Sequence, residues 1–134
     1  MKRTKSLLGC AVLGATLLAG TACGSSSSDP TCETASAALL KTISAGSKVG
    51  DIAAESGKTL KPADHDGTYL VAAKISVAGA EQTGVWATSN LNGEGSIWAV
   101  DAKAKEVTSF ADAAQADAKI GAGDASVSDV KACL

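Results

Sequence analysis

The stretch that decides the fold is Thr68–Ala78, TYLVAAKISVA. Tyr69, Val71, Ala73, Ile75 and Val77 alternate with Leu70, Ala72, Lys74 and Ser76. A period of two over that length is the signature of a β-strand with two distinct faces. Gly79-Ala80-Glu81 turns the chain, and Thr83–Ser89, with Val85 and Trp86, reads as a second strand. Asn92-Gly93-Glu94-Gly95 is a turn signal, because Asn and Gly accept the left-handed backbone that turns require. Ser96–Val100, with Ile97 and Trp98, is then a third strand. Three consecutive strands joined by short turns predict an antiparallel meander.

Outward from this meander the period changes to that of a helix. Cys32, Ala35, Leu39, Leu40 and Ile43 predict a helix over Pro30–Ser47, with Asp29 as N-cap and Gly46 as its stop. A weaker helical pattern covers Lys48–Ser56, through Val49, Ile52 and Ala53. Leu60–Gly67, which holds Pro62, Asp64, His65 and Asp66, reads as a loop. On the far side of the meander, Asp101 is placed to cap a short helix through Phe110. Asp124 or Ser126 is placed to cap a last helix carrying Val127, Val130 and Leu134. The expected fold class is α+β: a three-stranded antiparallel meander with N- and C-terminal helices on one face. Residues 30–134 form one small domain by length.

The first residues belong to a different chemistry. Met1-Lys2-Arg3-Thr4-Lys5 is basic, and an uncharged run from Ser6 to Ala22 follows, with Leu7, Leu8, Val12, Leu13, Leu17 and Leu18 as its apolar bulk. Charge, apolar run and small-residue end together define a secretory signal. A retained transmembrane helix needs about 20 apolar residues and a stop-transfer flank, and this run is shorter and rich in Gly and Thr. Leu18-Ala19-Gly20-Thr21-Ala22-Cys23 resembles the lipobox of bacterial lipoproteins. Gly20 departs from that pattern, which usually carries an aliphatic residue there. Leu7-Leu8-Gly9-Cys10 is a closer local match, but Ser6–Gly9 leaves too short an apolar run ahead of it.

The resemblance covers the first fifth of the chain. It implies a signal peptide over 1–22, lipidation of Cys23, and anchoring of the mature protein to the extracytoplasmic face of the cell membrane. The Ala- and Gly-rich composition is also similar to that of secreted lipoproteins of high-GC Gram-positive bacteria. Residues 23–29, the lipidated Cys and a Ser-rich stretch, read as a flexible tether. Two acyl chains hold a membrane stably where one does not, since each buried CH₂ contributes about 0.8 kcal/mol.

Export settles two further expectations. Losing Lys2, Arg3 and Lys5 leaves nine basic residues against fourteen acidic ones, a net charge of −5 with no Arg. That balance argues against nucleic acid, whose phosphates demand Lys and Arg. Cys32 and Cys133 are the two cysteines beyond the lipidation site, and outside the cytoplasm such a pair forms a disulfide. The termini of the domain are therefore expected to be stapled together.

Candidate sites are few. His65, between Asp64 and Asp66, is the only histidine, too few nitrogen or sulfur ligands for zinc. Asp117 and Asp124 lack the spacing of a calcium loop. Trp86 and Trp98 form an aromatic platform for a glycan or protein partner if an odd-length loop puts them on one face; an even loop separates them. The rival reading places at least one of them in the core. No G-x-S-x-G, Ser–His–Asp context or phosphate-binding loop is present, so catalytic, metal and cofactor residues are assigned as none.

The functional expectation is a non-enzymatic binding module at the cell envelope. The alternatives are a small hydrolase using Asp64 or Asp66, if these converge in a pocket, and an inhibitor presenting Ser89–Ser96 as a protruding hairpin. A transporter's solute-binding component needs two lobes, and this chain has residues for one.

Overall fold

The computed structural model describes residues 31–134. The order is β1 (Cys32–Thr34), α1 (Ala37–Ala45), β2 (Ile52–Leu60), β3 (Tyr69–Val77), β4 (Ala80–Thr88), β5 (Ile97–Ala99), α2 (Ala102–Val107) and α3 (Ala125–Ala132). The class is α+β, but the antiparallel sheet has five strands rather than three, in the order β1-β2-β3-β4-β5.

The two added strands have a local explanation. Cys32–Thr34, expected to open the first helix, pairs instead with Lys58–Leu60. The helix starts three residues later, with Ser36 as its N-cap accepting from the Leu39 amide, and Leu39 and Ile43 are buried as the helical spacing requires. The expected helix over Lys48–Ser56 gives way to β2. A register shift between Ala54 and Ser56 conceals this strand in the sequence. Ile52 and Ala54 lie on the same face as Gly57 and Thr59, so the alternation changes parity midway.

The central hairpin follows the sequence closely. Val77 pairs with Ala80, which leaves a two-residue turn of Ala78 (φ 52°) and Gly79 (φ 85°). Positive φ at both positions is the requirement of a type I′ turn, whose twist matches that of the flanking strands.

The helices do not share one face. Leu39 and Ile43 of α1 and Ala104 and Val107 of α2 pack on Val71, Ala73, Ile75 and Trp86. Val127 and Val130 of α3 pack with Ala113, Ala118 and Ile120 against Leu70, Ala72, Val85 and Ala87 on the opposite face. The expectation of one covered face fails because both residue sets of Tyr69–Val77 contain buried apolar side chains. Leu70 and Ala72 are as inaccessible as Val71 and Ala73. A strand apolar on both sides has to be covered on both sides.

Asp101 joins these layers. Its Oδ1 accepts from the Ala104 amide (2.9 Å), capping α2, and from the Val85 amide of β4 (3.1 Å). Its Oδ2 lies 3.0 Å from Lys131 Nζ of α3. One carboxylate thus holds a strand and a helix from each side of the sheet.

Candidate functional site

The Cys32–Cys133 disulfide is present, with a Cα–Cα distance of 6.3 Å. It ties the edge strand β1 to the last residues after α3. Cys32 belongs to a row that runs across the sheet through Leu60, Leu70, Ala87 and Trp98. The row lies beneath α3. The signal peptide (1–22), Cys23 and the tether (23–29) lie outside the described residues.

The two tryptophans do not form a platform. Trp86 pairs with Ala99 and Trp98 with Ala87, so the eight-residue connection 89–96 sends the rings to opposite faces. Trp86 is fully buried. Its Nε1 donates to Thr108 Oγ1 at 3.1 Å, and a Cβ at Gly84 would lie 2.6 Å from its ring. Trp86 is a core residue with one satisfied polar atom. Trp98 is half-buried against the α3 core.

The Ser89–Ser96 connection does not protrude. Ser36 Oγ donates to Leu91 O (2.8 Å) and Thr42 Oγ1 donates to Gly93 O (3.0 Å), which lays the loop along α1. Gly93 has φ +85°, and a Cβ there would stand 2.8 Å from Ala38 O. This close approach explains the glycine.

His65 pairs with neither of its flanking acids. Its Nε2 lies 3.1 Å from Asp124 Oδ2, joining the β2–β3 loop to the N-cap of α3. The Asp124 carboxyl is held below its ordinary value, first by the Ser126 hydroxyl donating to it, with burial opposing and His65 adding to the effect. Asp64, Asp66 and Asp117 are exposed. Among the described residues no group of three or more His, Cys, Asp or Glu side chains is arranged to hold a metal. No described helix is long and apolar enough to cross a membrane.

What the structure does bring together is an open cleft of about 450 Å³ at the β1 end of the sheet. Thr31 and Glu33, the neighbours of Cys32 in sequence, line it. Thr59 and Leu60 at the end of β2, Lys61, Pro62 and Ala63 at the start of the β2–β3 loop, and Tyr69 also line it. Ser126 and Asp129 of α3 complete the lining. Two of the three cross-links of α3 lie beside this region: Cys133 follows Asp129 by one helical turn, its Sγ set against Asp129 O at 3.3 Å. His65–Asp124 holds the loop that Lys61–Ala63 begin. Asp64 and Asp66 do not line the cleft, so they do not converge in this pocket.

The cleft residues are scattered from position 31 to 129, and no local motif announces them. Pairing Cys32 with Cys133 was the one available signal, since it puts the neighbours of both cysteines side by side. No protein-family model, curated protein or solved structure matches the chain.

Proposed function

We propose that this chain is a lipid-anchored binding module of the cell envelope, and that the cleft is its recognition site. The observation that carries the reading is the disulfide-tied cleft itself. A disulfide that joins the first strand to the last helix suits an oxidising, extracytoplasmic compartment. A largely preformed concave site lined by a few polar groups and one aromatic ring suits binding. The leader resemblance supplies the anchor. From Cys23 to Thr31 is eight residues, so the chain reaches at most about 28 Å and keeps the cleft close to the membrane. The absence of a recognisable nucleophile–base pair in the sequence favours binding over hydrolysis.

The test is fractionation followed by cross-linking in intact bacterial cells. The native protein is expected in the membrane fraction and Cys23→Ala is expected to be released or unprocessed. Cross-linking of the anchored protein is expected to capture an envelope component, with capture lost on substitution of Tyr69 and Glu33. Equal membrane retention of Cys23→Ala would refute the anchor. Capture that is indifferent to the cleft substitutions would refute the cleft as the recognition site.

A further inference from the structure

We propose that Asn92 is a site of spontaneous covalent modification, where the chain passes through a cyclic imide to aspartate and isoaspartate and so unfastens the 89–96 loop from α1. Asparagine is among the chemically labile side chains, and its surroundings decide whether it reacts. Gly93 follows Asn92, and with no Cβ it leaves its own amide nitrogen open to approach. Among the described residues that amide donates to no acceptor, so the nucleophile is free. Asn92 Oδ1 accepts from the Glu94 amide at 2.9 Å. This donor polarises the side-chain carbonyl and stays in place for the charge that develops on its oxygen when Cγ is attacked. Asn92 is exposed, so hydroxide and water reach it. Asn90, the other asparagine, also accepts through Oδ1, from the Asn92 amide at 3.1 Å. It is half-buried and followed by Leu91, whose side chain crowds the nitrogen that would attack.

The chemistry balances with water alone. Hydroxide takes the Gly93 amide proton, and the nitrogen attacks Asn92 Cγ. The N–Cγ bond forms, Cγ–Nδ2 breaks, and ammonia leaves with a proton from water, which returns the hydroxide. Water then opens the imide. Cleavage at Cγ leaves an ordinary aspartate, and cleavage at the other carbonyl leaves isoaspartate, whose main chain runs through the side-chain carbon. Isoaspartate lengthens the backbone by one carbon, about 1.5 Å. The added length falls between two anchors, Leu91 O held by Ser36 Oγ (2.8 Å) and Gly93 O held by Thr42 Oγ1 (3.0 Å). Gly93 is already pressed on α1, since a Cβ there would stand 2.8 Å from Ala38 O. The longer chain has no room against the helix, so an anchor is given up. The change runs one way and is independent of what the cleft binds.

The experiment incubates the full-length oxidised protein in mildly alkaline buffer, folded or unfolded in urea, and maps its peptides by mass spectrometry. Asn92 is expected to gain the mass of an NH₂-to-OH exchange and to yield two products, one of them a substrate for isoaspartyl methyltransferase. Asn90 is expected to stay unchanged in the folded protein. The folded protein is expected to react at Asn92 no more than about tenfold slower than the unfolded chain. A slower folded reaction, or Asn90 reacting as fast as Asn92, would overturn the site. Unfastening is read by amide hydrogen exchange over 89–96 in the separated isoaspartate form. Asn92→Asp is the comparator, since it carries the new charge on a chain of normal length. Exchange at least about threefold faster in the isoaspartate form is expected, and a smaller difference would overturn the unfastening.

Discussion

Replacing Asp101 with Ala removes three interactions at once, and each can be weighed from its surroundings. The first is the N-cap of α2, the bond from the Ala104 amide, whose loss costs about 1 kcal/mol. The second is the bond from the Val85 amide. That donor is buried and its residue is fully inaccessible, so leaving it unpaired costs about 1–3 kcal/mol. The third is the Lys131 ion pair. The lysine side chain is 43% exposed, which limits this contribution to less than about 1 kcal/mol. The Val85 amide dominates, and the sum is about 3 kcal/mol. For a domain of this size that is a fall of about 12–24 °C in thermal midpoint. Asp101→Asn keeps an Oδ1 acceptor for both amides and gives up only the ion pair, so its loss should stay near 1 kcal/mol. The assay is urea unfolding of the oxidised protein, followed by tryptophan fluorescence and far-UV circular dichroism. A loss below about 1 kcal/mol for Asp101→Ala, or equal losses for Ala and Asn, would refute the argument that the buried amide is what the carboxylate serves.

Three further outcomes follow from the same structure. Cys32 and Cys133 are separated by 101 positions, so the Cys32→Ala, Cys133→Ala double variant should be about 4–5 kcal/mol less stable by chain entropy; denaturant midpoints compared with the oxidised parent check this. Ala78→Asn should stabilise by about 0.5–1 kcal/mol, since Ala78 sits at φ 52° where Asn is tolerated and Ala is strained; an unchanged or lower midpoint would count against the type I′ turn. Asp124 and Asp112 both have carboxyl groups held below the ordinary 3.8, Asp112 chiefly by Lys105. A depressed folded value means their contribution is present above 3.8 and is lost as pH falls through the lowered values. Thermal midpoints should therefore drop below about pH 4, and Asp124→Asn, which still caps α3, should flatten that drop.

How much of this was legible in the sequence follows from how local each signal is. The hairpin of β3 and β4 was readable because both its alternation and its Gly79 turn lie within twenty residues. The caps at Asp101 and Asp124 were readable for the same reason, since a capping side chain serves amides two or three residues away. β1 was not readable. Three residues at the head of a helical pattern become a strand only because Lys58–Leu60 offer an unpaired edge. β2 was hidden by the bulge between Ala54 and Ser56, which breaks its alternation. The second covered face was present in Leu70 and Ala72, but an apolar residue on a strand does not say which distant helix will cover it.

The same distinction between local and distant signals explains why the cleft escaped notice while the disulfide did not. A covalent link can be inferred from two cysteines and a compartment. A cleft lined from both ends of the domain exists only once Thr31 and Glu33 have been brought into the same region as Ser126 and Asp129. The link also makes fold and site depend on one element. α3 contributes Val127 and Val130 to one core, Lys131 to the Asp101 junction and two residues to the cleft wall. Reducing the disulfide therefore acts on the site as well as on stability. With β1 and α3 no longer tied, ligand binding would have to order both walls before making any contact, and affinity would fall even in molecules that remain folded. Loss of ligand affinity at a reductant concentration that leaves the far-UV circular dichroism native would separate these two effects. Affinity that falls only together with the circular dichroism would show that the cleft is no more than a by-product of the fold.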